Sequence, residues 1–415
     1  QTGTTASRPP EAETRPAASA TVIDAVRIDR LGEPLVPALL RLTPSAAVAV
    51  SGPLGALTEV RIRGSEANHS LLFIDGIRAN DPAAGDAPRF ELLNTDLVSR
   101  IEVVRGPQSA LWGSDAIGGV IAINGTDEAR RSSASAEAGS FGFARASASG
   151  ALPAGKATVA AGVGWQRSSG IDSFGVPGGD RDGYRNLSGR LRGTYDIGRG
   201  DRIGVAAFVL TGRTQFDGYD PVTFERTDTL DNSRNRLAAV GVWTDLGGSK
   251  APWRGRLGGS LLASSNRNFL GSAPINRTNG SRQTLEGQIS RHFSTGMIGH
   301  DLVLAAEAER ETFEARGQSA GLSTDQDRDR ARQAVTVEWR ASLTPVTVDL
   351  AVRRDIFNRF EDASSLRASV PADIGSGFAL AGSYAQGIAQ PTFFDLYGTF
   401  PNIFVGNPGL KPETS

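Results

Sequence analysis

The chain has 415 residues, with 44 Lys plus Arg against 45 Asp plus Glu, a formal net charge of −1, 50 Gly, 21 Pro and no Cys. That balance excludes a nucleic-acid binder driven by phosphate neutralisation, and zero cysteines exclude disulfide scaffolds, thiolate metal sites and Cys nucleophiles together. No apolar run reaches the roughly 18 residues of a membrane-spanning helix, but a β-barrel, which needs an apolar residue only at every second position, stays open.

In chain order, residues 1–20 are rich in Pro, Ala, Ser and Glu and read as a flexible arm. Residues 21–126 read as a compact mixed α/β domain. Leu35, Leu39 and Leu42 recur at helical spacing, with Pro34 and Pro37 at the start and Pro44 at the end. Strands are predicted over 59–63, 70–74, 99–104 and 120–123, and Asp75-Gly76 after the second signals a tight hairpin. From residue 133 to 415 the period becomes two. Leu302, Leu304, Ala306 and Ala308 alternate with Val303, Ala305, Glu307 and Glu309, and about a dozen such segments follow one another. The long polar connections are expected at 170–183, 214–233 and 315–331. The chain ends in turn residues, Asn407-Pro408-Gly409, and further strands are expected beyond Ser415.

Each alternating strand has one apolar and one charged face. A sandwich would hide the apolar face between two sheets, whereas a membrane barrel would turn it to lipid around a polar lumen. Strand length and the alternation of short with long connections favour the barrel. A dozen strands would leave bare edges that lipid does not tolerate, so a barrel demands more chain.

Few residues carry chemistry. Gly317-Gln318-Ser319-Ala320-Gly321 matches a hydrolase elbow, but no His follows it in the chain. His69, His292 and His300 are scattered and form no metal-ligand spacing. The first two long loops hold Asp172, Asp180 and Asp182, then Asp217, Asp220 and Asp228. Alternating Asp before Gly183 resembles the start of a calcium loop, because hard cations take several carboxylate oxygens. It is no EF-hand, since Leu191 stands where the bidentate Glu belongs.

The runs Val60-Arg61-Ile62-Arg63-Gly64, Leu72-Phe73-Ile74-Asp75-Gly76, Ile101-Glu102-Val103-Val104-Arg105-Gly106-Pro107 and Leu111-Trp112-Gly113-Ser114-Asp115 resemble the plug domain of TonB-dependent outer-membrane receptors. Gln390-Pro391-Thr392-Phe393-Phe394 and Asn407-Pro408-Gly409-Leu410 resemble a barrel segment of that family. The resemblance implies a mixed α/β plug inside an antiparallel transmembrane β-barrel, about 12 of an expected 22 strands being present. It implies a transport receptor and no enzyme, set in the Gram-negative outer membrane. Within the family the loops are most similar to those of cobalamin receptors, with iron-chelate receptors as the alternative. Carried over residue by residue, that likeness implies calcium ligands at Asp172, Asp180, Asp182, Asp217 and Asp228. It also implies substrate contacts at Leu57, Glu59, Glu66 and Phe216. Gln1-Thr2-Gly3-Thr4 looks like the tail of an energy-coupling box, which implies an inner-membrane TonB-type partner. Charged plug residues Arg63, Arg78, Glu102 and Arg105 are expected to pair with the barrel wall.

Overall fold

The computed structural model describes residues 3–4, 11–12, 19–125, 132–220, 223, 225–248, 251–319, 322–376, 378–400 and 404–415. Most of the arm therefore lies outside the described residues, apart from the strand pair Gly3–Thr4 and Glu11–Ala12.

The first region is a five-stranded sheet in the order Ser19–Asp24, Arg100–Arg105, Gly119–Asn124, Ser70–Ile74, Ile77–Arg78; the third and fourth of these strands run parallel. The Asp75-Gly76 turn forms as expected, with φ of 50° and 87° at its two centres, the doubly left-handed geometry that matches strand twist. The strand expected at 59–63 is Thr58–Ile62, paired with Ala46–Val50. The helix on the Leu35–Leu42 pattern shrinks to Val36–Leu40, and a second helix, Ala25–Leu31, precedes it. That second helix gave no periodic signal because it buries only Ile28.

From Ser133 to Ala385, thirteen strands pair with their chain neighbours in uninterrupted antiparallel order. The outward face is apolar. Ile289, Leu304, Val337, Val352 and Leu366 pair rung to rung across five strands and are each 38–52% exposed. The alternate residues point in: Val303, Ala305, Glu309, Thr336 and Arg353 are buried. A sandwich would bury the first set, so the sheet is a barrel wall with a lipid-facing belt. One expectation fails. The third long connection, 315–331, is mostly ladder, because Ile298–Ser319 and Gln326–Leu343 stay paired from Gly299 to Gln326 and Leu322–Ser323 extends the hairpin end. The Ser319 backbone thus belongs to a strand.

The wall wraps the first region, which sits inside it as a plug. Gln166, Asn186, Thr214, Asn266 and Thr278, from five strands of the wall, each hydrogen-bond a plug group. One side of this boundary is apolar, with Ile77 and Leu92 of the plug packed among Phe208, Leu210, Leu237, Ala239 and Leu262 of the wall. The other side is ionic. Arg78 of the plug binds Asp86 at 2.7 Å and Asp115 at 2.8 Å and reaches Glu309 of the wall at 3.5 Å. Arg282 of the wall answers with Asp86 and Glu311, both at 2.5 Å. Arg330 and Arg332 extend this lattice to Glu311, Glu307, Glu309 and Asp355. Gly113, at φ +89°, lets the plug meet the lattice, since a Cβ there would lie 2.4 Å from Arg332 and 2.8 Å from Arg353. Arg78 therefore pairs with the wall as expected. Arg105 donates instead to the plug carbonyls of Ser19 and Pro44, Glu102 binds Arg100, and the Arg63 guanidinium lies against Gly106.

Candidate functional site

The two long connections sit side by side at one end of the barrel. The first, residues 169–183, leads into Tyr184–Gly198; the second, residues 217–230, leaves Asp201–Phe216. The two strands pair, with Tyr184 opposite Thr214, and the Gln215 N–H donates to the Gly183 carbonyl at 2.9 Å. Asp182 and Asp217 thus flank one ladder end, although 35 residues part them in sequence.

All five aspartates converge there. Carboxylate oxygens of Asp180, Asp217 and Asp228 lie within 4.8 Å of one another. Asp172 and Asp228 face each other across Gly179, where a Cβ would lie 2.4 Å from one carboxylate and 2.7 Å from the other. Ser173 joins the remaining pair, its hydroxyl donating to Asp182 and, at 3.3 Å, to Asp217. The Thr229 N–H holds the other Asp217 oxygen at 3.1 Å. Asp180 Oδ1 and Asp182 Oδ1 are buried with no hydrogen-bond partner. Among the described residues, no Arg, Lys or His forms an ion pair with any of the five.

Burial and the neighbouring carboxylates make ionisation costly here. Burial, with the Asp217 and Asp180 charges beside it, pushes Asp182 up to about 6. Burial and Asp228 also raise Asp180. Oxygen donors crowded without a counter-charge fit a hard divalent cation by the chemistry of the donor set.

The plug rises to meet this cluster. Its loop 51–57 is closed by the Ser51 N–H on the Leu57 carbonyl at 3.0 Å, and the Gly55 carbonyl accepts from Thr214 Oγ1 at 2.7 Å. Gly55 has φ +85° and lies against the Tyr184 ring, so no side chain fits there. Leu57 is exposed at the top of this loop. Phe216 follows Thr214 by two residues, so it shares the lumen side, and it is half-buried. Glu59 is held by Arg61 at 2.8 Å, and Glu66, exposed before the Ala67–His69 turn, adds to the field on the same arginine. The Glu66 carbonyl accepts from the His69 N–H at 3.1 Å, and the His69 ring lies 3.5 Å from Glu413. Four apolar side chains escaped the sequence reading: Ile171, Phe174, Tyr219 and Leu230 are all exposed on the two aspartate loops. Their signal was present, since large apolar residues are unusual in solvated loops rich in Asp and Gly.

Family models match along the chain: the TonB-dependent receptor plug domain over residues 13–120 and the TonB-dependent receptor-like β-barrel over residues 138–415. The chain belongs to the TonB-dependent receptor family. It is an outer-membrane β-barrel protein of the Gram-negative type. It is 27% identical over 432 residues to a vitamin B12 transporter, BtuB, of Vibrio vulnificus, an alignment that covers 99% of this chain. The chain spans 65% of the length of that curated relative. Among solved structures it is similar to the ferric enterobactin receptor mutant R480A of Pseudomonas aeruginosa in complex with enterobactin (TM-score 0.76, 16% identity, 96% of this chain and 68% of that one). It is also similar to the siderophore receptor PirA of Acinetobacter baumannii (TM-score 0.74, 17% identity, 95% and 66%). At such identity these two report the fold of a TonB-dependent receptor and nothing finer.

Proposed function

We propose that this TonB-dependent receptor captures a corrinoid, cobalamin or a close relative of it, at the end of the barrel that carries the aspartate loops. The observation that carries the reading is the convergence of Asp172, Asp180, Asp182, Asp217 and Asp228 beside the plug loop 51–57. Calcium would be held by these five carboxylates, and when bound it neutralises the cluster and ties the two loops together. Loops ordered before the ligand arrives lose less entropy on capture. Leu57 and Phe216, with Phe174 and Tyr219 on the loops, offer apolar area for a large flat ligand, and Glu59 and Glu66 offer polar contacts from the plug. No bond is made or broken in this function. Release into the periplasm requires the plug to shift, and the N-terminal arm is where a TonB-type protein would pull.

An iron-chelate ligand is the second reading, since the solved structures the chain resembles include receptors for siderophores. Equilibrium binding of radiolabelled cyanocobalamin to outer-membrane vesicles, with and without a calcium chelator, separates the two. Saturable binding that the chelator abolishes supports the corrinoid reading. Absence of cobalamin binding in calcium, together with saturable binding of a ferric siderophore, overturns it.

A further inference from the structure

The wall strand Ala273–Thr295 runs from the aspartate end of the barrel to the short-turn end. Just before it, the Gly271 N–H donates to the Leu230 carbonyl of the second aspartate loop at 2.7 Å. The inward residues of this strand fall into two sets. Thr278, Gly280 and Arg282 grip one plug loop, residues 79–86. Thr278 Oγ1 donates to the Ala83 carbonyl at 3.0 Å, and a Cβ on Gly280 would lie 2.9 Å from the Ala83 nitrogen. Arg282 holds the Asn80 carbonyl at 2.8 Å and Asp86 at 2.5 Å. The next four inward residues, Thr284, Glu286, Gln288 and Ser290, line a cavity of about 580 Å³ between wall and plug. At roughly 3.4 Å per residue, this second set spans about 20 Å.

Across this cavity the plug presents Phe73 and Trp112, whose ring centroids lie 5.4 Å apart. Its roof is the ionic lattice, through Arg78, Glu309 and Arg332, and its other end reaches Gly247 in a short turn. A bare rung keeps the middle open. Trp243 is buried, and its partners on the two neighbouring strands are Gly204 and Gly258. A Cβ on Gly204 would lie 2.2 Å from the Trp243 ring, so the ring lies back over Gly204 instead of filling the space. Hydroxyl, amide and carboxylate groups facing two aromatic rings suit a polar solute dense in hydrogen-bonding groups.

Along this strand, loop 79–86 and the lattice on Arg282 are what separate the cavity from the capture end. On another side of the plug, Leu92 packs among Phe208, Leu210 and Leu237 of the wall. Charges that part regain water on both sides, whereas parted apolar surfaces lose their burial. The ionic seam is therefore the side that opens at lower cost, and it opens onto space that already exists.

We infer that this cavity is a transit chamber for the nutrient, entered when loop 79–86 swings off the wall while the Leu92 side of the plug stays seated. The inference rests on the reading of the chain as an importer and names the route. The chain has no Cys, so engineered pairs form the only disulfides. A Cβ on Gly280 would lie 3.1 Å from the Ala83 Cβ, and one on Gly164 would lie 3.3 Å from the Asp96 Cβ, both close to disulfide reach. Ala83→Cys/Gly280→Cys therefore locks the loop to the wall, and Asp96→Cys/Gly164→Cys locks the plug elsewhere. Binding and uptake of radiolabelled cyanocobalamin are measured in energised cells carrying the full chain, oxidised and then reduced. The Ala83–Gly280 lock should cut uptake about tenfold or more, reversibly and with binding unchanged, while the Asp96–Gly164 lock leaves uptake within about twofold of the parent. Thr284→Trp, which fills the chamber, should cut uptake about as far with binding intact. Equal loss of uptake in both locks overturns the inference, because the plug then leaves as one body. Uptake that survives the Ala83–Gly280 lock or Thr284→Trp also overturns it. Absence of cobalamin binding by the parent counts against the corrinoid reading alone, and the ferric siderophore that binds then serves as the label for the same locks.

Discussion

Arg282→Met removes one arginine from the middle of the ionic boundary between plug and wall. Arg282 is 1% exposed and binds Asp86 and Glu311 at 2.5 Å, Glu309 at 3.5 Å and the Asn80 carbonyl at 2.8 Å. Deleting one partner of a buried pair costs about 3–5 kcal/mol because a charge is left uncompensated. Here Asp86 keeps Arg78 at 2.7 Å and Glu311 keeps Arg330 at 2.5 Å, which places the loss near the lower end, about 3 kcal/mol. That corresponds to about a hundredfold rise in opening of the plug. Amide hydrogen exchange in the central plug strands Arg100–Arg105 and Gly119–Asn124 reads it directly. Arg354→Met breaks an exposed pair with Asp362 at 3.2 Å and is the control, expected to cost under about 1 kcal/mol. A double-mutant cycle of Arg282→Met with Asp86→Asn should show a coupling above about 1 kcal/mol. A fall in plug protection of less than tenfold on Arg282→Met would refute the reasoning that this lattice seats the plug.

Three further outcomes follow from the candidate site. Asp180→Asn and Asp217→Asn should each weaken calcium binding at least tenfold by calorimetry, whereas Asp220→Asn, outside the cluster, should leave it unchanged. The Asp182 carboxyl, raised to about 6 by burial, holds its proton more tightly in the folded loops than in an unfolded chain. Ion-free loops are therefore more stable below the ordinary aspartate range and lose that advantage as pH rises through about 6. Calcium needs the ionised form, so its affinity should fall as pH drops below about 6 and level off above it; a flat profile from pH 5 to 8 would contradict this. Gly55→Leu places a side chain where Tyr184 stands, at a left-handed φ, and should lower the thermal midpoint and disorder loop 51–57 in hydrogen exchange.

Much of this fold is local and was therefore legible. Period-two alternation over Leu302–Glu309 marks a wall with unlike faces, and Asp75-Gly76 admits the doubly left-handed turn that it forms. The extent of the third connection was not legible. Arg316, Asp327 and Asp329 look like loop residues, yet they stand on a ladder that runs well past the apolar belt, and a ladder needs only backbone. In the site, Asp-rich loops were visible, but their convergence depends on Tyr184 and Thr214 sharing a rung. Arg78 finding Glu309 depends on the wall curving round the plug over 231 residues of separation.

The most direct test of capture by the aspartate loops is a crystal of the full chain grown with calcium and cyanocobalamin, with anomalous diffraction measured at the cobalt edge. The expected result is one cobalt peak above Leu57 and Phe216, with calcium among the five aspartates. A cobalt peak elsewhere in the lumen, or saturating cobalamin bound with no cation at Asp180, Asp217 and Asp228, would contradict it.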